Sequence, residues 1–119
     1  MPERWYCFKW VGRTAELKDS QRSDPSQAVP PVVCRDWLQK PKSMRKGSYA
    51  DLDQAQAWLR EAIREYEPTL PPGAQFLSSF DDQAAAVARA AANSSYHAGV
   101  WTAWQRDGST LVEFAIVGE

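Results

Sequence analysis

Residues 96–117 read YHAGVWTAWQRDGSTLVEFAIV. Two runs rich in β-branched and aromatic residues flank Asp107-Gly108, a dipeptide that favours a two-residue type I′ hairpin turn. The pattern predicts an antiparallel hairpin. With the turn at 107–108, Arg106 falls opposite Ser109, Trp104 opposite Leu111, Thr102 opposite Glu113 and Trp101 opposite Phe114. Side chains alternate between the faces of a strand. One face therefore carries Trp101, Ala103, Val112, Phe114 and Ile116, an apolar set fit for a core. The other carries Val100, Thr102, Trp104, Leu111, Glu113, Ala115 and Val117, and it too is largely apolar.

Working back from the hairpin, residues 82–92 are Ala-rich with a single large aliphatic, Val87. They predict a helix with Ser79 or Asp81 as its cap. Gln75 to Phe80 reads as a short strand. Residues 51–66 carry the clearest periodicity. Leu52, Ala55, Leu59, Ala62, Ile63 and Tyr66 recur at three- and four-residue steps, with Asp53, Gln56, Arg60 and Arg64 opposite. Ser48 followed by Asp51 resembles a capping signal, and Pro68 with Pro71-Pro72-Gly73 ends the helix and turns the chain.

At the other end, Arg4 to Val11 reads as an interior strand. Tyr6, Phe8 and Trp10 share one face; Trp5, Cys7, Lys9 and Val11 share the other. Residues 12–31 read as a long polar loop, and Val32 to Cys34 as a short strand. The expected fold is α+β: one domain over 1–119, a two-layer arrangement of a mixed or antiparallel sheet, two helices on one face and a C-terminal β-hairpin.

Composition bounds the function. The 119 residues are 44% hydrophobic and 24% charged, which excludes a disordered chain. No run approaches the length of a membrane span, and the N-terminus lacks the apolar core of a secretory signal, so a cytoplasmic location is expected. Residues 1–50 hold ten basic and five acidic residues, a net +5, whereas residues 51–119 hold four and ten, a net −6. The basic segment 35–49, with Trp37 and Tyr49, is the place where nucleic acid would bind. The slightly acidic whole argues against it. Cys7 and Cys34 form no C-x-x-C pair and read as buried, reduced thiols. No metal site and no cofactor is implied. The chain contains no phosphate-binding glycine loop, no H-E-x-x-H and no G-x-S-x-G.

Two kinds of function stay open. In the first, the chain is a binding or accessory protein whose second hairpin face meets a protein partner or a second copy. Its contacts would be Trp104, Leu111 and Arg106, with Trp101 beside them. The alternative cover for that face is the chain's own 12–31 loop or 35–48 segment. In the second, the chain is a small-molecule binder or small enzyme with a pocket lined by Trp5, Trp101 or Trp104. There the single histidine, His97, or the mid-strand carboxylate Glu113 would transfer protons.

Overall fold

The structure is a computed structural model, and it describes residues 2–71 and 79–119. The hairpin forms with the register expected from its sequence. Strand β3 (Ala98–Trp104) pairs antiparallel with β4 (Thr110–Gly118), placing Trp101 opposite Phe114, Thr102 opposite Glu113 and Trp104 opposite Leu111. Strand β1 (Trp5–Arg13) runs antiparallel along the other side of β4. Strand β2 (Arg45–Tyr49) closes the far edge, so the order is β2-β1-β4-β3. The fold is α+β, with an antiparallel sheet.

The turn differs in detail from the two-residue form. Gln105 N–H donates to Thr110 O and Gly108 N–H donates to Gln105 O, while Gly108 alone in this turn has a positive φ, 72°. A type I′ turn needs positive φ at both central residues, which Asp107 does not adopt. Instead its carboxylate accepts from Ser109 N–H (2.9 Å), Thr110 N–H (2.8 Å) and the Thr110 hydroxyl (2.6 Å). The side chain organises a wider loop over 106–109, and these bonds pull the Asp107 carboxyl down to about 2.

One face of the sheet is covered by two helices. Helix α2 (Leu52–Tyr66) buries Ala55, Leu59 and Ile63. Helix α3 (Phe80–Asn93) buries Phe80, Ala84, Val87, Ala88 and Ala91. The cap of α2 is Asp51, which accepts from Gln54 N–H; Ser48 lies in β2 and bonds Arg4 instead. Ser79 caps α3, accepting from Asp82 N–H. Phe80 opens that helix rather than closing a strand, and the rest of the expected 75–80 strand lies outside the described residues. The Ala-rich helix approaches β3 closely: a Cβ on Gly99 would stand 2.5 Å from Val87 O. Under this layer sits a core of Trp5, Cys7, Leu59, Ile63, Trp101, Val112, Phe114 and Ile116.

The opposite face is covered by the chain's own residues 14–44. They form a strap of 3-10 turns over Thr14–Glu16, Cys34–Gln39 and Lys42–Met44, with one four-residue helix, α1 (Asp19–Arg22). The expected strand at 32–34 is absent, because Cys34 begins a 3-10 turn and Val32 and Val33 face solvent. Trp37, Met44 and Leu17 from the strap pack on Phe8, Trp10, Leu111, Ala115 and Val117 from the sheet. Two cations stitch the strap together. Arg22 donates to Pro30 O and Pro31 O, and buried Lys40 donates to Gln21 O and Asp24 O. Burial lowers the Lys40 pKa, and these carbonyls offset part of that cost. Among the described residues no helix is long and apolar enough to cross a membrane.

Trp37 is 1% exposed and stacks on Phe8 with ring centroids 5.4 Å apart. If the strap belongs to the cooperative core, Trp37→Ala costs about 3–5 kcal/mol of unfolding free energy, the usual loss for a large buried aromatic. Urea unfolding followed by far-UV circular dichroism measures it. A loss below about 1 kcal/mol would mean the strap is decoration on a sheet that folds without it.

Candidate functional site

The free edge of β3 is built by the alternation of hydrogen bonds along the hairpin. The Gln105–Thr110 bond and the bond from Gly118 N–H to His97 O mark bonded pairs at the two ends of β3. Bonded pairs recur every second residue in an antiparallel ladder, so Gly99, Trp101 and Ala103 also bond β4. The N–H and C=O groups of Ala98, Val100, Thr102 and Trp104 therefore point away from the sheet. Among the described residues no hydrogen bond reaches any of them. The side chains of these four residues stand on the strap side. Val100 is 38% and Trp104 46% exposed. Tyr96, Val32 and Val33 are exposed as well.

The six residues singled out from sequence do not form one site. Trp104 is exposed at the end of the free edge. Leu111, its cross-strand neighbour, is 8% exposed and packs with the cluster under the strap. Arg106 is turned away from Trp104. Its backbone N–H donates to Thr69 O and its Nε to Leu70 O, so it ties the end of the hairpin to the chain after α2. Trp101 lies under α3, where its Nε1 donates to Gln83 Oε1 at 2.7 Å and its ring stacks on Phe114. Of the apolar residues in this set, Trp104 is the exposed one.

His97 and Glu113 are far from each other in role. His97 precedes β3 in the left-handed region, φ 50°, with its ring edge-on to Trp5 at 6.3 Å. Its Nδ1 is buried and finds no partner among the described residues. Glu113 lies on the strap side, between Trp10 of β1 and Thr102 of β3. The Thr102 hydroxyl donates to its Oε1 at 3.3 Å, and burial raises its pKa. The Cys34 thiol lies near enough for the Glu113 charge to raise the thiol pKa.

The basic segment 35–49 is largely spent on holding the fold. Arg35 donates to Tyr96 O and Gly118 O, Lys40 is buried, and the Arg45 guanidinium lies 4.1 Å over the Tyr6 ring. Of the two aromatics expected to stack bases, Trp37 is inside the core and Tyr49 is half-buried. Cys7 and Cys34 are free thiols, Cys7 buried and Cys34 half-buried; burial pushes each up to about 12, with the Glu113 charge adding to Cys34. Among the described residues no three metal-ligating side chains gather.

A recess of ligand size is a groove beside α2, floored by Phe114 and walled by Tyr49, Trp58 and Tyr66. Trp5, Trp101, Trp104, His97 and Glu113 do not line it, whereas Lys46 and Tyr49 of the basic segment 35–49 do. Its signal was nevertheless visible as Lys9, a charged residue in the middle of an interior strand whose other residues from Trp5 to Val11 are uncharged. Compared with protein-family models, curated proteins and solved structures, the chain matches none.

The raised pKa of Glu113 has a thermodynamic consequence. A carboxyl whose folded pKa exceeds its unfolded value binds protons more tightly in the folded state. It favours the fold at low pH and opposes it increasingly as pH rises from the usual carboxylate range through the folded pKa. Glu113→Gln keeps an oxygen for the Thr102 hydroxyl and removes the charge. The variant should melt higher than wild type at pH 7 and equal it near pH 3.5. A lower melting temperature at pH 7 would show that the charged form is stabilised in place. Asp107 has the opposite sign. Its lowered pKa stabilises the turn above about pH 4, and this contribution fades as pH falls towards about 2. Asp107→Ala should therefore melt below wild type at pH 7, with the gap narrowing on acidification.

Proposed function

We propose that this chain is a small binding protein that works in the cytoplasm and pairs with a second copy of itself along the free edge of β3. One observation carries the reading: a seven-residue edge strand, AGVWTAW, that contains neither a charge nor a proline. Open edges are templates for further pairing, and proteins that stay apart blunt them with lysines, prolines or bulges. β3 has none of these.

The chemistry of the edge supports a like partner. An antiparallel pair of β3 strands about a two-fold axis at Trp101 engages all four outward residues at once. Val100 then stands beside Thr102 of the second copy, and Ala98 beside its Trp104. A large ring meets a small residue at both ends, and a two-fold contact is complementary to itself by construction. The interface is that of an added strand: backbone bonds supply affinity and the alternate side chains supply fit. Trp104 is the natural anchor, since aromatic residues dominate the energy of such contacts. The two free thiols support the compartment, because reduced cysteines persist where glutathione keeps them so.

A single pair of strands buries less than a standard interface, so the dimer should dissociate with a constant on the order of 10–100 µM. Sedimentation equilibrium across that range tests it. Val100→Lys places a charge on the edge without touching the core and should give a monomer at all concentrations. Trp104→Ala should raise the dissociation constant about tenfold, as loss of a hot-spot side chain does. A wild type that stays monomeric at 500 µM, or a dimer that both substitutions leave unchanged, would end the proposal.

A further inference from the structure

The groove beside α2 is a second feature, at the other side of the sheet. Its volume is about 780 Å³, within the range of small-molecule sites. Phe114 forms the floor. Trp58 and Tyr66 stand against it, their rings 5.7 and 5.8 Å from its centroid at steep angles. Tyr49 closes the β2 side. Phe114 is itself fully covered, so the planar, apolar surface open to a guest is that of the half-buried Tyr49, Trp58 and Tyr66.

The same recess contains two lysines whose positions packing does not explain. Lys9 lies on β1, an interior strand, on the face that carries Trp5 and Cys7 in the core. It is half-buried and its ammonium stands 4.7 Å over the Tyr66 ring. Among the described residues no carboxylate comes within ion-pair distance of it. Lys46 reaches the groove by a backbone irregularity. Gly47 pairs with Cys7 and Arg45 with Phe8, so Lys46 is the extra residue of a β-bulge. Strict alternation would send it to the strap side; the bulge turns it to the groove. Its Nζ is steadied by Ser43 O at 2.8 Å. A smaller recess of about 340 Å³ adjoins and shares Lys9, Lys46 and Tyr66, so both lysines stand where the two spaces meet.

Two carboxylates rim the helix side, and they do not cancel the lysines. Glu61 is paired with Arg60 and Arg64 on α2. Glu65 is exposed, where water screens it, whereas Lys9 sits on a partly dry floor where a charge acts more strongly. We propose that this groove binds a planar aromatic small molecule bearing an anionic group. The ring system lies against Trp58, Tyr66 and Tyr49, above the buried Phe114, and the anion faces Lys9 and Lys46. The site is independent of the β3 edge, and either proposal stands if the other fails.

The test uses two probes of the same ring system, 2-naphthoate and the neutral 2-naphthalenemethanol, titrated into the whole chain by NMR. Naphthoate should shift the Trp58 indole resonance and bind about tenfold more tightly than the alcohol. Raising salt from 50 to 500 mM should weaken naphthoate alone. Lys9→Met should bring the two probes to equal affinity, and so should Lys46→Met, whose exposed position leaves folding intact. Trp58→Leu should weaken both. Equal binding of the two probes by wild type, shifts confined to residues outside the groove, no shift up to 5 mM, or a naphthoate preference that survives both lysine substitutions would each overturn the assignment.

Discussion

Everything in this fold follows from β4 being buried on both faces. Leu111, Val112, Phe114, Ala115, Ile116 and Val117 are all shielded, and only Glu113 in that run is half-open. A strand of this kind must have strands on both sides and a layer above and below. The strands are β1 and β3. The layer above is α2 and α3. The layer below is supplied by residues 14–44, which have no regular structure long enough to be called a layer yet bring Trp37, Met44 and Leu17 to the sheet. A chain of 119 residues has little surface to spare for such a demand. The strap meets it with large side chains and with two buried or half-buried cations, Arg22 and Lys40, that satisfy four of its own carbonyls.

The sequence was legible where periodicity is strong. The hairpin register, the faces of β1 and the buried stripe of α2 all follow from spacings of two and of three to four residues, and all appear as expected. It was illegible where tertiary contacts decide. Strand β2, RKGSY, carries two charges and a glycine and has no strand signature; it is a strand because β1 offers an edge to pair with. Val32 to Cys34 looks like a strand, but the segment bends into a 3-10 turn that drives Trp37 into the core. The turn at Asp107 departs from its usual type because its carboxylate gains three hydrogen bonds in the wider loop. For the candidate site, the exposed strip at Trp104 and Val100 followed from alternation. The cover over Leu111 and the inward commitment of Arg106 depended on segments distant in sequence, and no local pattern encodes those.

The two edges of the sheet are treated in opposite ways, and the difference bears on function. β2 is five residues long, broken by a bulge, and furnished with Arg45, Lys46 and the Arg4 bonds to Ser48. These are the devices that keep an edge from recruiting another strand. The same bulge releases Lys46 into the groove, so protection of the edge and construction of the recess are one feature of the backbone. β3 is longer, regular and uncharged, and it presents its four outward peptide units and two large apolar side chains together. The groove and the open edge are separated by β1, β4 and the core between them, with Phe114 of β4 touching both sides: its ring floors the groove and stacks on Trp101 of the edge strand. One buried ring of β4 thus ties the aromatic residues beside α2 to the edge strand through the helix-side core.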